Sequence, residues 1–225
     1  MSLHQDWLDC GWASMNRNGR QISRCSRKSA RRRCGFRITK TLTGFINSPT
    51  RTAIVLWTEI PLIDRITEAP AFYANAKQQL IELIRQNYNH PSVVCWGIFN
   101  EITLQKGPEV TNLVSQLAEL AAAEDSTRPS TCAVAGADNQ PSNWYSKVNS
   151  FNKYSGWYSK SVNDFTRGLT KAHASYPTNC IGISEYGAGA SIYQHSEDPV
   201  AKPEPKANFI LKNIKICFTK LIGRR

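Results

Sequence analysis

The sequence predicts an α/β fold, a parallel sheet covered by helices, and two observations lead to this prediction. From residue 54 to about residue 190, short apolar runs alternate with stretches whose apolar positions repeat every three and four residues, the pattern of strands alternating with helices. The chain of 225 residues is 41% hydrophobic and 20% charged, as in globular domains. Such a sheet can be open and doubly wound or part of a (β/α)8 barrel, and periodicity alone leaves both possibilities open.

Five apolar runs are predicted to be strands. Residues 54–60 read IVLWTEI and are closed by Pro61, and residues 92–100 read SVVCWGIFN. Both runs are rich in the β-branched and aromatic residues that favour strands. The other three strands are expected at residues 131–135, 148–154 and 181–184.

Three helices are predicted between these strands. The first covers about residues 71–87 and ends before His90-Pro91, because the residue before a proline is disfavoured in a helix. The second opens at Pro108, where the missing N–H is not needed. The third begins with a capping box formed by Ser161 and Asp164.

The positive charge of the chain is confined to its flanking segments. The net charge is +11, yet residues 14–53 hold eleven Lys or Arg and no acid, and residues 202–225 hold seven basic residues and one acid. The remaining central residues, 54–201, carry a net charge of −4. A nucleic-acid partner is therefore not expected for the central domain.

The boundaries of the chain's regions follow from composition. Residues 14–53 have no sustained period and a composition typical of disordered chain. We expect four regions: residues 1–13, a basic segment at 14–53, an α/β domain at 54–203 and a basic tail at 204–225.

Two sequence patterns bear on the cellular location of the chain. No apolar run approaches the roughly 18 residues of a membrane span, so no membrane association is expected. The first ten residues lack the pattern of a signal peptide, which favours the cytoplasm.

The seven cysteines form no CxxC pair, and we expect Cys95, Cys132 and Cys180 to be reduced and buried.

Two glutamates follow predicted strands and are candidates for catalysis. Glu101 follows the strand that ends at Asn100, and Glu185 follows Ser184. Side chains at the carboxyl ends of parallel strands line ligand sites in β/α folds. Two carboxyl groups about 5–5.5 Å apart can cleave a glycoside with retention of configuration. A solvated or ion-paired glutamate at a strand end is the alternative for each.

The sequence around these glutamates resembles a known family. WGIFNEIT at residues 96–103 and IGISEYGAGAS at 181–191 closely resemble the acid/base and nucleophile segments of family 2 glycoside hydrolases. The resemblance covers about residues 54–203 and roughly 3–13, and the most similar branch is the β-galactosidases, followed by the β-glucuronidases. Further similar segments, in the family's order, are HQD (4–6), WTEIPLIDRIT (57–67), IRQNYNHPSVVCWG (84–97), EDSTRP (124–129) and FNKYSGWY (151–158).

The resemblance implies a fold and a reaction. The fold is an incomplete (β/α)8 TIM-type barrel, and the reaction is retaining hydrolysis of terminal β-galactosides with Glu101 as acid/base and Glu185 as nucleophile. β-Glucuronidase activity by the same mechanism and a non-functional fragment of such an enzyme are the alternatives. The partner is a carbohydrate substrate, and the oligomeric state stays open.

The resemblance also implies roles for five other residues. Asn100 would hydrogen-bond the sugar 2-hydroxyl, Tyr154 would donate to the nucleophile carboxylate, and Trp157 would line the sugar pocket. His4 matches a histidine that faces the sugar, and Glu59 lies near the site. The alternatives are a strand-ending asparagine, a core tyrosine, a surface-packed tryptophan and a structural ion pair of Glu59.

The chain departs from the family pattern in two places. Residues 61–64 read PLID and lack the histidine with which some relatives bind magnesium, so neither a metal nor a cofactor is expected. Residues 14–53 have about the family's length for this interval but an unrelated composition. Two compensating shifts of the reading frame would explain this difference, and the coding DNA read in all three frames tests that hypothesis.

Overall fold

The structure, a computed structural model, describes residues 35–39, 55–102, 110–135, 140–155, 158 and 164–186. The chain divides into two compact units, residues 1–150 and residues 151–225. The predictions for residues 1–13 and for the tail from residue 204 lie outside the described residues.

The described part of the first unit is a parallel sheet with two helices. Its strands are β1 (Gly35–Thr39), β2 (Val55–Glu59), β3 (Val93–Asn100) and β4 (Ser130–Val134), and they pair in this order. Helix α1 (Pro70–Asn87) connects β2 to β3, and helix α2 (Thr111–Glu124) lies between β3 and β4. From β2 onward, this order of strand and helix is the one that the sequence predicts.

Strand β1 lies inside the segment 14–53, for which the sequence predicted no strand. It pairs in parallel with β2 from Gly35 opposite Val55 to Thr39 opposite Glu59. Its five residues, GFRIT, are too few for a period of two to stand out among the surrounding arginines and serines. The backbone pairing with β2 defines this strand.

Helix α1 begins and ends where its sequence indicates. Pro70 stands in the first turn, where the missing N–H costs nothing. The buried face is spaced at three and four residues, as predicted, and the amide of Asn87 donates to the carbonyl of Leu83 at 2.7 Å. The residues of this face are Ala76, Leu80, Leu83, Ile84 and Asn87.

Helix α2 packs beside α1 and has one apolar face. Its buried residues Leu113, Val114, Leu117 and Ala121 lie on one side of the helix. Arg85 of α1 forms a two-pronged ion pair with Glu124 at the end of α2, with N–O distances of 2.7 and 2.8 Å. The predicted start of this helix at Pro108 lies outside the described residues.

Asp125 is a hydrogen-bonding centre between α2 and β4. Its carboxylate accepts from the Trp96 indole at 3.0 Å, from the Arg128 Nε at 2.6 Å, and from both the backbone N–H and the hydroxyl of Thr127. The Arg128 guanidinium also lies over the rings of Trp96 and Tyr88, 4.7 and 4.9 Å from their centroids. These contacts connect the turn after α2 to the fully buried Trp96 of β3.

Strand β5 (Val148–Lys153) begins in the first unit and continues into the second. A 3₁₀ turn, Pro141–Trp144, precedes it. In the first unit the hydroxyl of Ser150 on β5 lies 3.4 Å from that of Thr131 on β4, and both residues are buried.

The second unit contains the end of β5, helix α3 (Asp164–Ser175) and strand β6 (Cys180–Tyr186). Leu169 and Ala172 form the buried face of α3. The predicted capping residue Ser161 lies outside the described residues. Strand β6 is longer than expected: it includes Glu185, which the sequence placed after the strand.

The cysteine prediction is right for two residues and wrong for one. Cys95 and Cys132 are free and buried, but Cys180 is free and exposed. Cys180 is the first residue of β6 and directly follows an exposed turn, so its side chain is not covered.

Among the described residues, no helix has the length and apolar character needed to span a membrane.

Candidate functional site

The backbone on both sides of Asn100 and Glu101 is fixed by hydrogen bonds. The N–H of Asn100 donates to the carbonyl of Leu62 at 2.9 Å, and its carbonyl accepts from the N–H of Asp64 at 3.3 Å. The N–H of Glu101 donates to the carbonyl of Ala133 at 2.8 Å. Strand β3 therefore ends between the loop after β2 and the end of β4, with Glu101 just beyond the strand as the sequence predicts.

Glu101 has an unusual backbone conformation. Its φ is +56°, in the left-handed region, and Asp64 across the β2–β3 pairing has the same value. For a residue with a Cβ this conformation costs roughly 1–2 kcal/mol, and such strain is concentrated at functional sites. Glu101 is half-buried, so its carboxyl group is directed by a backbone that the surrounding hydrogen bonds hold in place.

Glu59 is buried at the end of β2. Only 1% of its surface is exposed, and its carboxylate accepts a hydrogen bond from the Trp57 indole at 3.2 Å. Gly97 stands opposite Glu59 on β3. A Cβ at Gly97 would lie 2.5 Å from the Trp57 Nε1 and 2.6 Å from the Glu59 Cβ, so glycine leaves the space that these two side chains occupy.

Cys95 lies on the same strand, two residues before Gly97. Burial raises the pKa of its thiol to about 12, and the negative charge of Glu59 adds to this increase. Cys95 therefore stays a neutral thiol at physiological pH and is a poor nucleophile.

In the second unit, Tyr154 and Glu185 are joined directly. The Tyr154 hydroxyl donates to the Oε2 of Glu185, which is the contact that the family resemblance implies for these residues. The ring of Tyr158 packs edge-on against Tyr154, with centroids 5.6 Å apart and an interplanar angle of 86°. The N–H of Tyr158 also donates to the Tyr154 carbonyl at 3.1 Å.

A second polar contact lies beside this pair. The Ser184 hydroxyl donates to the Asn152 side-chain oxygen at 2.5 Å, and 7% and 5% of the two residues are exposed. Neither Ser184 nor Asn152 was predicted to have a role in the site. Asn152 lies in the FNKYSGWY segment with Tyr154, and Ser184 directly precedes Glu185. Their nearness in sequence to these predicted site residues was the signal that could have found them.

The structure places some of the predicted site residues and leaves others open. Asn100, Glu101 and Glu59 lie in the first unit, and Tyr154 and Glu185 lie in the second. His4 and Trp157 are outside the described residues. In the part of the chain that is described, no three His, Cys, Asp or Glu side chains are grouped to hold a metal ion, and the absence of a required metal stays a prediction.

The chain is similar to known proteins of one family. The profile of glycosyl hydrolases family 2, TIM barrel domain, matches residues 45–204. A beta-glucuronidase of Bacteroides fragilis is 43% identical over 159 residues, which are 67% of this chain and 22% of that protein. The chain thus spans about a fifth of the length of this relative.

Solved structures give the same result. The crystal structure of a Bacteroides uniformis beta-glucuronidase matches with a TM-score of 0.84 and 27% identity, over 99% of this chain and 28% of that one. A Bacteroides fragilis protein provisionally described as a beta-galactosidase matches with a TM-score of 0.85 and 27% identity, over 99% of this chain and 33% of that one. The fold class predicted from the sequence, a partial (β/α)8 barrel, is confirmed.

Proposed function

Because this chain belongs to glycoside hydrolase family 2, through its TIM barrel domain, we propose that it is a retaining glycosidase. Glu185 is the nucleophile and Glu101 the general acid/base. The observation that best supports this proposal is the Tyr154–Glu185 hydrogen bond. A phenol that donates to one oxygen of a carboxylate holds the other carboxylate oxygen in a fixed direction, and a nucleophile needs such a fixed direction.

The reaction proceeds in two displacements. In the first, a Glu185 oxygen attacks the anomeric carbon while Glu101 gives its proton to the departing glycosidic oxygen, and a glycosyl–enzyme ester forms. In the second, Glu101 takes a proton from water, the water oxygen attacks the anomeric carbon, and Glu185 leaves as a carboxylate. Two inversions return the original configuration, and the proton that Glu101 lost is restored.

The remaining site residues have supporting roles in this proposal. Asn100 donates to the sugar 2-hydroxyl, and its backbone is held by Leu62 and Asp64. Trp157 and His4 contact the sugar, as the family resemblance implies. Glu59 has a structural role, because its buried carboxylate accepts from Trp57 and its Cβ and Cγ fill the space beside Gly97.

We favour a β-glucuronide as the substrate. The relative with 43% identity and the Bacteroides uniformis structure are both named beta-glucuronidases, whereas the sequence motifs had placed the β-galactosidases first. A β-galactoside is the second candidate, supported by the Bacteroides fragilis structure. The third alternative is a chain without activity, since the chain spans 22% of its beta-glucuronidase relative.

The choice between these alternatives is tested with chromogenic substrates. We expect the full chain to hydrolyse p-nitrophenyl β-D-glucuronide with a kcat/KM at least about tenfold higher than for the corresponding galactoside. NMR of the first-formed sugar should show the β anomer. The Glu101→Gln/Glu185→Gln double variant is the blank, and a wild-type rate equal to that blank on both substrates would refute the proposal.

A further inference from the structure

The Ser184–Asn152 contact lies beside the bond that orients the proposed nucleophile. Ser184 is the residue before Glu185 on β6. Asn152 lies near the end of β5, two residues before Tyr154, which directly follows that strand. Two side-chain hydrogen bonds therefore join the same ends of these strands, Ser184 to Asn152 and Tyr154 to Glu185. Both pairs lie within the second unit.

The buried contact has few ways to rearrange. Both Ser184 and Asn152 are more than nine-tenths buried, and the Oγ–Oδ1 distance of 2.5 Å is at the short end for hydroxyl donors. A buried hydroxyl or amide oxygen that loses its partner pays the full cost of desolvation. The pair therefore resists any sliding of the end of β6 along the end of β5.

The Tyr154–Glu185 pair is more easily displaced than the buried pair. Tyr154 and Glu185 are half-buried, so water can compete for the phenol and for the carboxylate. Their alignment depends on the register of the two strand ends, since Glu185 is one residue from Ser184 and Tyr154 is two residues from Asn152. The buried Ser184–Asn152 pair fixes the register of β6 against β5. Glu185 and Tyr154 are only one and two residues away from this pair, so the register also sets their positions relative to each other.

We propose that Ser184 and Asn152 are positioning residues that hold Glu185 within reach of the Tyr154 hydroxyl. This inference rests on the proposed function, in which Glu185 is the nucleophile. Ser184 and Asn152 do not touch the substrate; they act through the Tyr154–Glu185 bond. Loss of the Ser184 hydroxyl should therefore slow the reaction only in a protein that still forms the Tyr154–Glu185 bond.

A double-mutant cycle tests this coupling. Ser184→Ala should lower kcat/KM about tenfold, mainly through kcat, because the oriented carboxylate is needed at the transition state. In a Tyr154→Phe background the same change should cost less than about twofold. Ser184→Thr, which keeps the hydroxyl, should stay within about threefold of wild type. Equal losses from Ser184→Ala in both backgrounds would show a general structural role and overturn the proposal.

Ser150→Ala is the matched control for this cycle. Ser150 is also buried on β5 and its hydroxyl faces that of Thr131, but this pair belongs to the first unit, whereas the Tyr154–Glu185 bond belongs to the second. We expect its effect on kcat/KM to be the same in the wild-type and Tyr154→Phe backgrounds. Coupling of equal size in this control would contradict a specific role of Ser184.

A second measurement does not depend on activity. Tetranitromethane nitrates phenolates, so a phenol that donates to a carboxylate reacts slowly. Ser184→Ala should raise the nitration rate of Tyr154 at least threefold by peptide mass spectrometry, while the nitration rate of the exposed Tyr145 stays unchanged. An unchanged Tyr154 rate would refute the positioning role. If the wild type hydrolyses neither glycoside, the proposed function fails, and nitration still decides this inference.

Discussion

Replacing Glu185 with glutamine is expected to lower kcat/KM for the hydrolysed glycoside by at least about 10³-fold. The amide has nearly the shape of the carboxylate but is a weak nucleophile, so the glycosyl–enzyme ester does not form. The Tyr154 hydroxyl can still donate to the amide oxygen, and the fold should be retained. The measurement is steady-state hydrolysis of the p-nitrophenyl glycoside, with circular dichroism to show that the variant is folded.

Glu101→Gln and Glu119→Gln complete this comparison. Glu101→Gln should cost about 10²–10⁴-fold, the range for loss of a general acid/base. Glu119 lies exposed on α2, where it accepts from Ser115 at 3.2 Å, and its replacement should leave the rate within twofold. Similar rates for wild type and for both site variants would show that these carboxylates do not carry the reaction.

Asp125→Ala is expected to destabilise the fold by about 3 kcal/mol, the lower part of the range for breaking a buried ion pair. Only 2% of Asp125 is exposed, and four donors from Trp96, Thr127 and Arg128 converge on its carboxylate. Without it, the Arg128 guanidinium and the Trp96 indole lose a buried acceptor. The free energy of unfolding is measured by urea denaturation followed by circular dichroism.

Glu124→Ala is the matched control for Asp125→Ala. Glu124 is the adjacent residue and its ion pair is with Arg85, whose side chain is 68% exposed. Exposed pairs contribute little because water and salt screen them, so the change in stability should be much smaller. A Glu124→Ala effect as large as that of Asp125→Ala would contradict the role of burial in this account.

The acid sensitivity of the fold follows from the same residue. Burial by itself would raise the pKa of Asp125, but the hydrogen bonds from Thr127, Trp96 and Arg128 outweigh it and lower the pKa from 3.8 to about 2. A lowered pKa stabilises the folded state fully above about pH 4, and the contribution is lost as the pH falls towards 2. The loss is about 2 kcal/mol, and it should be absent in Asp125→Ala.

The sequence predicted the regular elements because their patterns are local. The apolar spacing in α1 and α2 and the β-branched runs of β2 and β3 need no partner to be recognised. Strand β1 was missed because its evidence is the pairing with β2, which no local pattern reveals. Strand β6 was predicted too short, since Glu185 and Tyr186 look like the start of a turn but continue the strand.

The features of the site also divide into those that the sequence could predict and those that it could not. The candidate glutamates and Tyr154 could be named from motifs that resemble a family. The left-handed backbone of Glu101 could not, because glycine, asparagine or aspartate is the usual signal for that conformation and a glutamate gives none. The Ser184–Asn152 contact also depends on two strands that are 32 residues apart in sequence.

The central claim is that Glu185 forms a covalent bond with the sugar. The most direct test is to incubate the full chain with the 2-deoxy-2-fluoro glycosyl fluoride of the hydrolysed sugar and to locate the label by peptide mass spectrometry. Fluorine at C2 slows both displacements and fluoride leaves readily, so the intermediate accumulates. We expect one sugar per chain, attached to Glu185 and absent in Glu185→Gln. A label on another carboxylate, or hydrolysis without any covalent intermediate, would contradict this account.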